Sequence, residues 1–126
     1  MPTPFPSFGF SLGGIDGLTL GSTVIGQTDP DSTLQFRPEE AIIEVDGGSA
    51  FVGVASMSIG TNANADNILP ITVLTGLTAL NKYIFIELAR AAVASIGPGV
   101  DIKARITSLA IGTGITYNVT VKGSYR

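Results

Sequence analysis

Strict alternation of apolar and polar side chains is the clearest pattern in the chain. Apolar residues alternate with polar or charged ones from 100 to 107, and the same period returns from 117 to 122. A period of two is typical of a strand with one buried face and one solvated face. Gly112–Gly114 lies between the two runs and carries the glycines of a tight turn. The pattern therefore predicts a C-terminal β-hairpin.

Further strands are predicted in the middle of the chain. An apolar run at 41–45 is followed by Asp46-Gly47-Gly48, a turn signal, and then by a second run at 50–59. These features together predict another hairpin. Residues 68–74 resemble a strand, but Pro70 removes a ladder donor, so we expect this strand to lie at a sheet edge or to carry a bulge.

Residues 82–96 fit two interpretations. β-Branched and aromatic residues favour a strand over 82–90. The rival is a helix, because apolar residues also recur every four positions. Those positions are Ile84, Leu88, Ala92 and Ile96. We favour the strand, which would end before the chain break at 96–99.

The number and spacing of these elements indicate the fold class. Six to eight short strands, turn signals every 8–15 residues and little helix are typical of an all-β protein. We therefore predict an antiparallel β-sandwich or jelly-roll, formed by residues 29–126.

The first 28 residues differ from the rest. Three prolines alternate with other residues at the start, and apolar residues interleaved with glycines follow. The only charge in this segment is Asp16. Two conformations fit: an extended arm over 1–28, able to span roughly 90 Å and reach a neighbouring subunit, or a segment that folds back as edge strands. The predicted division is an arm at 1–28 and a sandwich at 29–126. The side chains expected to bind a partner are Phe5, Phe8, Phe10 and Leu12.

Composition narrows the function. The chain has no histidine, cysteine or tryptophan. Histidine-dependent triads, imidazole bases and thiolate chemistry are therefore impossible, and we expect no enzyme and no catalytic residue. Charged residues make up 13% of the chain, against about 25% in a typical soluble domain. Either hydroxyls and amides keep such a sparsely charged surface polar, or a partner covers part of it. The net charge of −3 argues against nucleic acid as that partner.

No cofactor or metal ion is expected, and no membrane association. Asn62, Asn64 and Asp66 have the spacing that begins a calcium loop, but Asn67 and Val73 occupy the positions of its glycine and its glutamate. The longest apolar runs fall short of a membrane span of about 20 residues. The N-terminus has neither the basic region nor the apolar core of a secretion signal, so we expect synthesis in the cytoplasm without export.

An apolar N-terminal arm followed by a small sandwich resembles the decoration, or cement, proteins of tailed-phage capsids. The resemblance covers the layout of the whole chain and no residue-level motif, so no functional residue is carried over. It implies a homo-oligomer, with a trimer favoured, that docks on a lattice of major capsid protein in the virion.

The alternative function is a carbohydrate- or other ligand-binding sandwich, assisted by calcium at residues 62–67. Sugar sites commonly use aromatic platforms, and this chain has few aromatic residues outside its first 28 positions. Calcium binding beside Tyr83 or Tyr117 would favour this alternative.

Overall fold

The computed structural model describes residues 7–61, 67–88 and 95–126, with the side chains of the first range described from Gly9 onward. Over these ranges the chain forms eight strands and no helix. No described segment could therefore cross a membrane as a helix. The strands are β1 Ser7–Asp16, β2 Gly21–Gln27, β3 Phe36–Gly53, β4 Ser56–Thr61, β5 Leu69–Val73, β6 Tyr83–Glu87, β7 Asp101–Ser108 and β8 Ile111–Tyr125.

The strands form two four-stranded antiparallel sheets. The order is β1-β8-β3-β6 in the first sheet and β2-β7-β4-β5 in the second. Strand pairs are nested along the chain, because β1 pairs with β8, β2 with β7, β3 with β6 and β4 with β5. This arrangement confirms the prediction of an all-β antiparallel sandwich.

The core lies between the two sheets and follows the predicted alternation. In β7 the apolar residues Ile102, Ala104 and Ile106 are buried, while the charged residues between them are not. β3 and β8 contribute inward-facing rows in the same way. Those rows are Ala41, Ile43 and Val45 in β3, and Ile115, Tyr117, Val119 and Val121 in β8. Complete burial of one large apolar side chain contributes roughly 1.5–3 kcal/mol.

Tyr117 makes the stability of this core sensitive to alkaline pH. Burial raises the pKa of its phenol, and the nearby backbone of Ala55 offsets only part of the rise. A raised pKa in the folded state contributes stability below the unfolded pKa of about 10, and this stability is lost as pH rises through the folded pKa.

We expect Tyr117→Phe to remove this alkaline loss. Urea unfolding midpoints measured from neutral pH to pH 11 should fall less steeply for Tyr117→Phe than for the wild type. Tyr83→Phe is the matched control, because Tyr83 is 65% exposed, and its profile should follow the wild type. If the urea midpoints of all three proteins fell equally with rising pH, the alkaline loss of stability would not come from Tyr117.

The hairpin predicted at Asp46–Gly48 is wrong, because β3 continues through these residues to Gly53. The pairing of β3 with β8 shifts register at several points there, so the residues form bulges and not a turn. Asp46 also links three strands: it accepts hydrogen bonds from the Gly14 N–H at 2.8 Å and the Thr116 hydroxyl at 2.6 Å. The chain changes sheets only after Gly53.

The predicted C-terminal hairpin is also wrong. Gly112–Gly114 lies inside β8, and β7 and β8 belong to different sheets. The connection that crosses between the sheets is the short segment 109–110. The prediction for Pro70 is confirmed, because β5 is the outermost strand of its sheet.

The described part of the predicted arm, residues 7–28, takes the fold-back alternative. β1 pairs with β8 and β2 pairs with β7. β1 has a bulge between Leu12 and Ile15, and Gly13 and Gly14 lie in it. Gly14 has a φ of +71°. Residues 1–6 of the predicted arm lie outside the described residues.

The strand interpretation of residues 82–90 is confirmed for its described core. β6 covers Tyr83–Glu87 and pairs with β3 over five consecutive residues without a register shift. The remainder of the rival helical repeat falls partly on residues 89–94, which are outside the description.

Candidate docking surface

The antiparallel strands place alternate connections at opposite ends of the sandwich. One end carries the connections 17–20, 54–55, 74–82 and 109–110. Backbone hydrogen bonds join them, since the Ala110 N–H donates to the Gly17 carbonyl and the Leu74 N–H to the Ala55 carbonyl, both at 2.9 Å. We call these four connections and the strand residues next to them the uncharged end.

The name reflects the absence of charge from the described chain in this region. Ranges 17–28, 47–61, 67–81 and 106–121 contain no charged residue. Asp16 and Lys82 stand at the border of the region. Asp16 accepts hydrogen bonds from the Leu18 N–H and the Thr19 hydroxyl, both at 2.8 Å, and these bonds lower the pKa of its carboxyl group. This carboxylate therefore orders a connection of its own chain.

Large apolar side chains are exposed on the uncharged end. Val52 is 78% exposed and Ile111 is 60% exposed. Their backbones are neighbours, because Gly53, next to Val52, is the ladder partner of Ile111. Exposed apolar residues on the connections of this end are Leu20, Leu80 and Leu109. An apolar surface without charges is typical of the centre of a protein–protein interface.

The opposite end is polar. Glu39 accepts a hydrogen bond from the Ser124 hydroxyl at 2.9 Å, and its carboxylate lies 3.8 Å from the Arg126 guanidinium. The described chain begins and ends on this side, because Ser7 pairs with Ser124.

The four residues predicted to bind a partner are not equivalent in the structure. Phe10 is 7% exposed and packs edge-on against Phe36, with ring centroids 5.0 Å apart. Its side chain is part of the core and is not available to a partner while β1 is in place. Leu12 is partly exposed. Phe5 and the side chain of Phe8 lie outside the described residues, so their role stays a prediction.

A shallow depression on the described surface could suit a small ligand. Its volume is about 400 Å³. Its described lining residues carry no charge and are Thr61, Asn67, Ser95, Ile96, Gly97, Gly99 and Val100. Ligand sites commonly add a few convergent polar groups to an apolar lining. Within the described ranges no cluster of His, Cys, Asp or Glu could hold a metal ion, and residues 62–66 of the predicted calcium loop lie outside them.

The uncharged end was missed in the prediction of sites from the sequence. A signal for it was present, because the charge-free ranges 47–61, 67–81 and 106–121 all reach it. The interpretation of 46–48 and 112–114 as turns concealed this. The fold is needed to show that four separate connections meet at one end.

Comparison with known proteins finds similarity of structure only. No family profile and no curated protein matches the chain. A chain of the cyanophage Pam1 capsid asymmetric unit has a TM-score of 0.63 at 8% identity, over 98% of this chain and 86% of that one.

Two further capsid structures contain similar chains. In the acid-stable capsid of Helicobacter pylori bacteriophage KHP30 the TM-score is 0.59 at 13% identity, over 94% of this chain and 86% of that one. In the capsid of Ralstonia phage GP4 it is 0.55 at 13% identity, over 98% and 88%. Identities this low show that the fold is shared: the chain has the same β-sandwich as chains in three phage capsid structures.

Proposed function

We propose that this protein is a non-enzymatic structural component of a phage virion, a decoration protein that docks on a capsid lattice and stabilises it. The observation that carries the proposal is the similarity of fold to chains in three phage capsid structures, over 94% to 98% of this chain. Because each match also covers at least 86% of the other chain, the likeness extends to a whole molecule of the same size.

The uncharged end is the surface that we assign to docking. A lattice of major capsid protein is the partner that the proposal requires. Exposed apolar residues such as Val52 and Ile111 would lose water on contact, which favours binding by about 25 cal/mol per Å² of buried apolar surface. Few charges would have to be desolvated there, and that cost is the one that most often offsets binding.

Stabilisation would follow from mass action. A protein that binds the assembled lattice and not its dispersed subunits adds its binding free energy to the assembled state. A weak contact at each position is sufficient when many copies bind, and self-association of this protein would strengthen attachment through multivalency. This function needs no catalytic group or cofactor.

Co-sedimentation with purified capsids of the phage that encodes the chain tests the proposal. We expect Val52→Lys combined with Ile111→Lys to reduce the bound amount at least about tenfold, since charges in an apolar interface must be desolvated. The pair Val52→Asp and Ile111→Asp should do the same. If both the lysine and the aspartate double variants lose binding, the contact is apolar and not electrostatic.

Leu34→Lys is the matched control. Leu34 is 44% exposed and precedes β3 at the opposite end, so this variant should bind like the wild type. Wild-type binding by both double variants would exclude the uncharged end. If Leu34→Lys alone abolished binding, docking would involve the opposite end, where β1 begins.

A further inference from the structure

The outer edge of β6 differs from the three other sheet edges of the described chain. Exposed strand edges commonly carry bulges, prolines or charges that prevent pairing with other chains. β1 and β2 are both bulged, and β5 contains Pro70. β6 pairs with β3 without a register shift, and the sequence of Tyr83–Glu87 is YIFIE, with its one charge at the last residue.

Hydrogen bonds at both ends of β6 fix the direction of its backbone groups. The Val45 N–H donates to the Lys82 carbonyl, and the Leu88 N–H donates to the Glu39 carbonyl, both at 2.9 Å. In an antiparallel ladder, hydrogen-bonded pairs alternate with non-bonded pairs. The even-numbered residues of β6 therefore face β3. The backbone groups of the odd-numbered residues, Tyr83, Phe85 and Glu87, point away from it.

The side chains of β6 are also incompletely covered. Tyr83 is 65% exposed and Phe85 is 55% exposed on the outer face of the sheet. Ile84 and Ile86 face the core but are only partly buried. A further strand along this edge would bury more of each of these apolar side chains, and that burial is favourable.

We propose that a second copy of this chain supplies that strand, by antiparallel pairing of β6 with β6 across a twofold axis at Phe85. This proposal does not depend on the proposed function. An isologous contact requires a self-complementary surface. Pairing centred on Phe85 meets this requirement, because it brings the outward backbone groups of Tyr83, Phe85 and Glu87 opposite the same three residues in reverse order.

The side chains support this register and direction. Tyr83 would lie opposite Glu87 of the partner subunit. Its phenol would then be placed to donate a hydrogen bond to that carboxylate. Directly opposite Cβ atoms in such a ladder are about 4.5–5.5 Å apart. Phe85 would meet the partner's Phe85, next to Ile42, which is its neighbour on β3. Parallel pairing would instead place two Glu87 carboxylates side by side, and like charges repel.

Molar mass by light scattering and sedimentation equilibrium of the full chain tests the pairing. We expect a dimer of about twice the 12.9 kDa chain mass. Phe85→Lys should raise the dissociation constant at least about tenfold, because a charge on the edge opposes pairing. Phe85→Pro should act likewise, since it removes an N–H that points to the free edge and leaves the ladder with β3 intact.

Ile71→Lys is the matched control. Ile71 is 62% exposed on β5, an edge strand of the other sheet, and this variant should remain dimeric. Circular dichroism and thermal unfolding verify that each variant is folded. A monomer at every concentration, a trimer such as the resemblance to decoration proteins implies, a dimer that survives Phe85→Lys, or a dimer that Ile71→Lys dissociates would each overturn the proposal.

Discussion

Replacing Phe10 by alanine should destabilise the whole sandwich by about 3–5 kcal/mol, the usual cost of truncating a buried phenylalanine. The ring is 7% exposed and meets Phe36 edge-on at 5.0 Å and 84°. It also covers Gly26, where a Cβ atom would overlap the Phe10 ring. Domains of this size have a total stability of about 5–15 kcal/mol, so this single change removes a large part of it.

Guanidinium unfolding at equilibrium measures this effect. The midpoint of the Phe10→Ala variant should fall with little change in the slope. Leu12→Ala is the control, because Leu12 is on the same strand but is 37% exposed, and its loss should be below about 1 kcal/mol. Equal stability of Phe10→Ala and wild type would mean that the first strand is dispensable to the fold, as a detachable arm would be.

Replacing Gly123 by alanine should cost about 3 kcal/mol, at the upper end of the range for overpacked positions. A Cβ atom at Gly123 would overlap the backbone carbonyl of Arg37 and lie 2.9 Å from Cζ of Phe36. The backbone cannot retreat easily, since β8 lies between β1 and β3. Thermal unfolding should show a clearly lower midpoint for this variant.

Gly9→Ala is the control for Gly123→Ala. Gly9 lies on the neighbouring strand, and its nearest contact would be Cγ of Lys122 at 3.6 Å, an ordinary van der Waals distance. We expect a change within about 0.5 kcal/mol. If both variants lost similar stability, the cost of replacing Gly123 would come from strand propensity and not from the close approach of the Arg37 backbone.

Local patterns predicted the strands better than their connections. The alternation at 100–107 identified β7 because one face of that strand is solvated. Pro70 identified an edge because a missing donor acts locally. The glycines at 46–48 and 112–114 have the composition of turns, but Gly47, Gly48 and Gly112 serve close approach, and Gly114 serves a φ of +60° inside the strand. A Cβ atom at Gly48 would lie 2.8 Å from Cα of Ile115, a contact between residues far apart in the chain.

The position of the first 28 residues could not be decided from their composition. Apolar residues among glycines suit both an arm on a neighbour and an edge strand of the same domain. The choice depends on whether a groove such as that beside Phe36 exists to receive Phe10. The partner-binding role that was predicted for Phe10 therefore does not agree with the structure, while the fold class was predicted correctly.

The nested order of strand pairs determines when each sheet can be completed during synthesis. β4 and β5 are joined by a short connection, whereas the partners β1 and β8 are separated by most of the chain. Each sheet has one of the last two strands in its interior, β8 between β1 and β3, and β7 between β2 and β4. A nascent chain lacking these strands holds two half-sheets with open ladders. Contacts of such long sequence separation slow folding to the millisecond-to-second range. A chain shortened before β8 would retain only the β3–β6 pair of the first sheet, and β1 would have no partner.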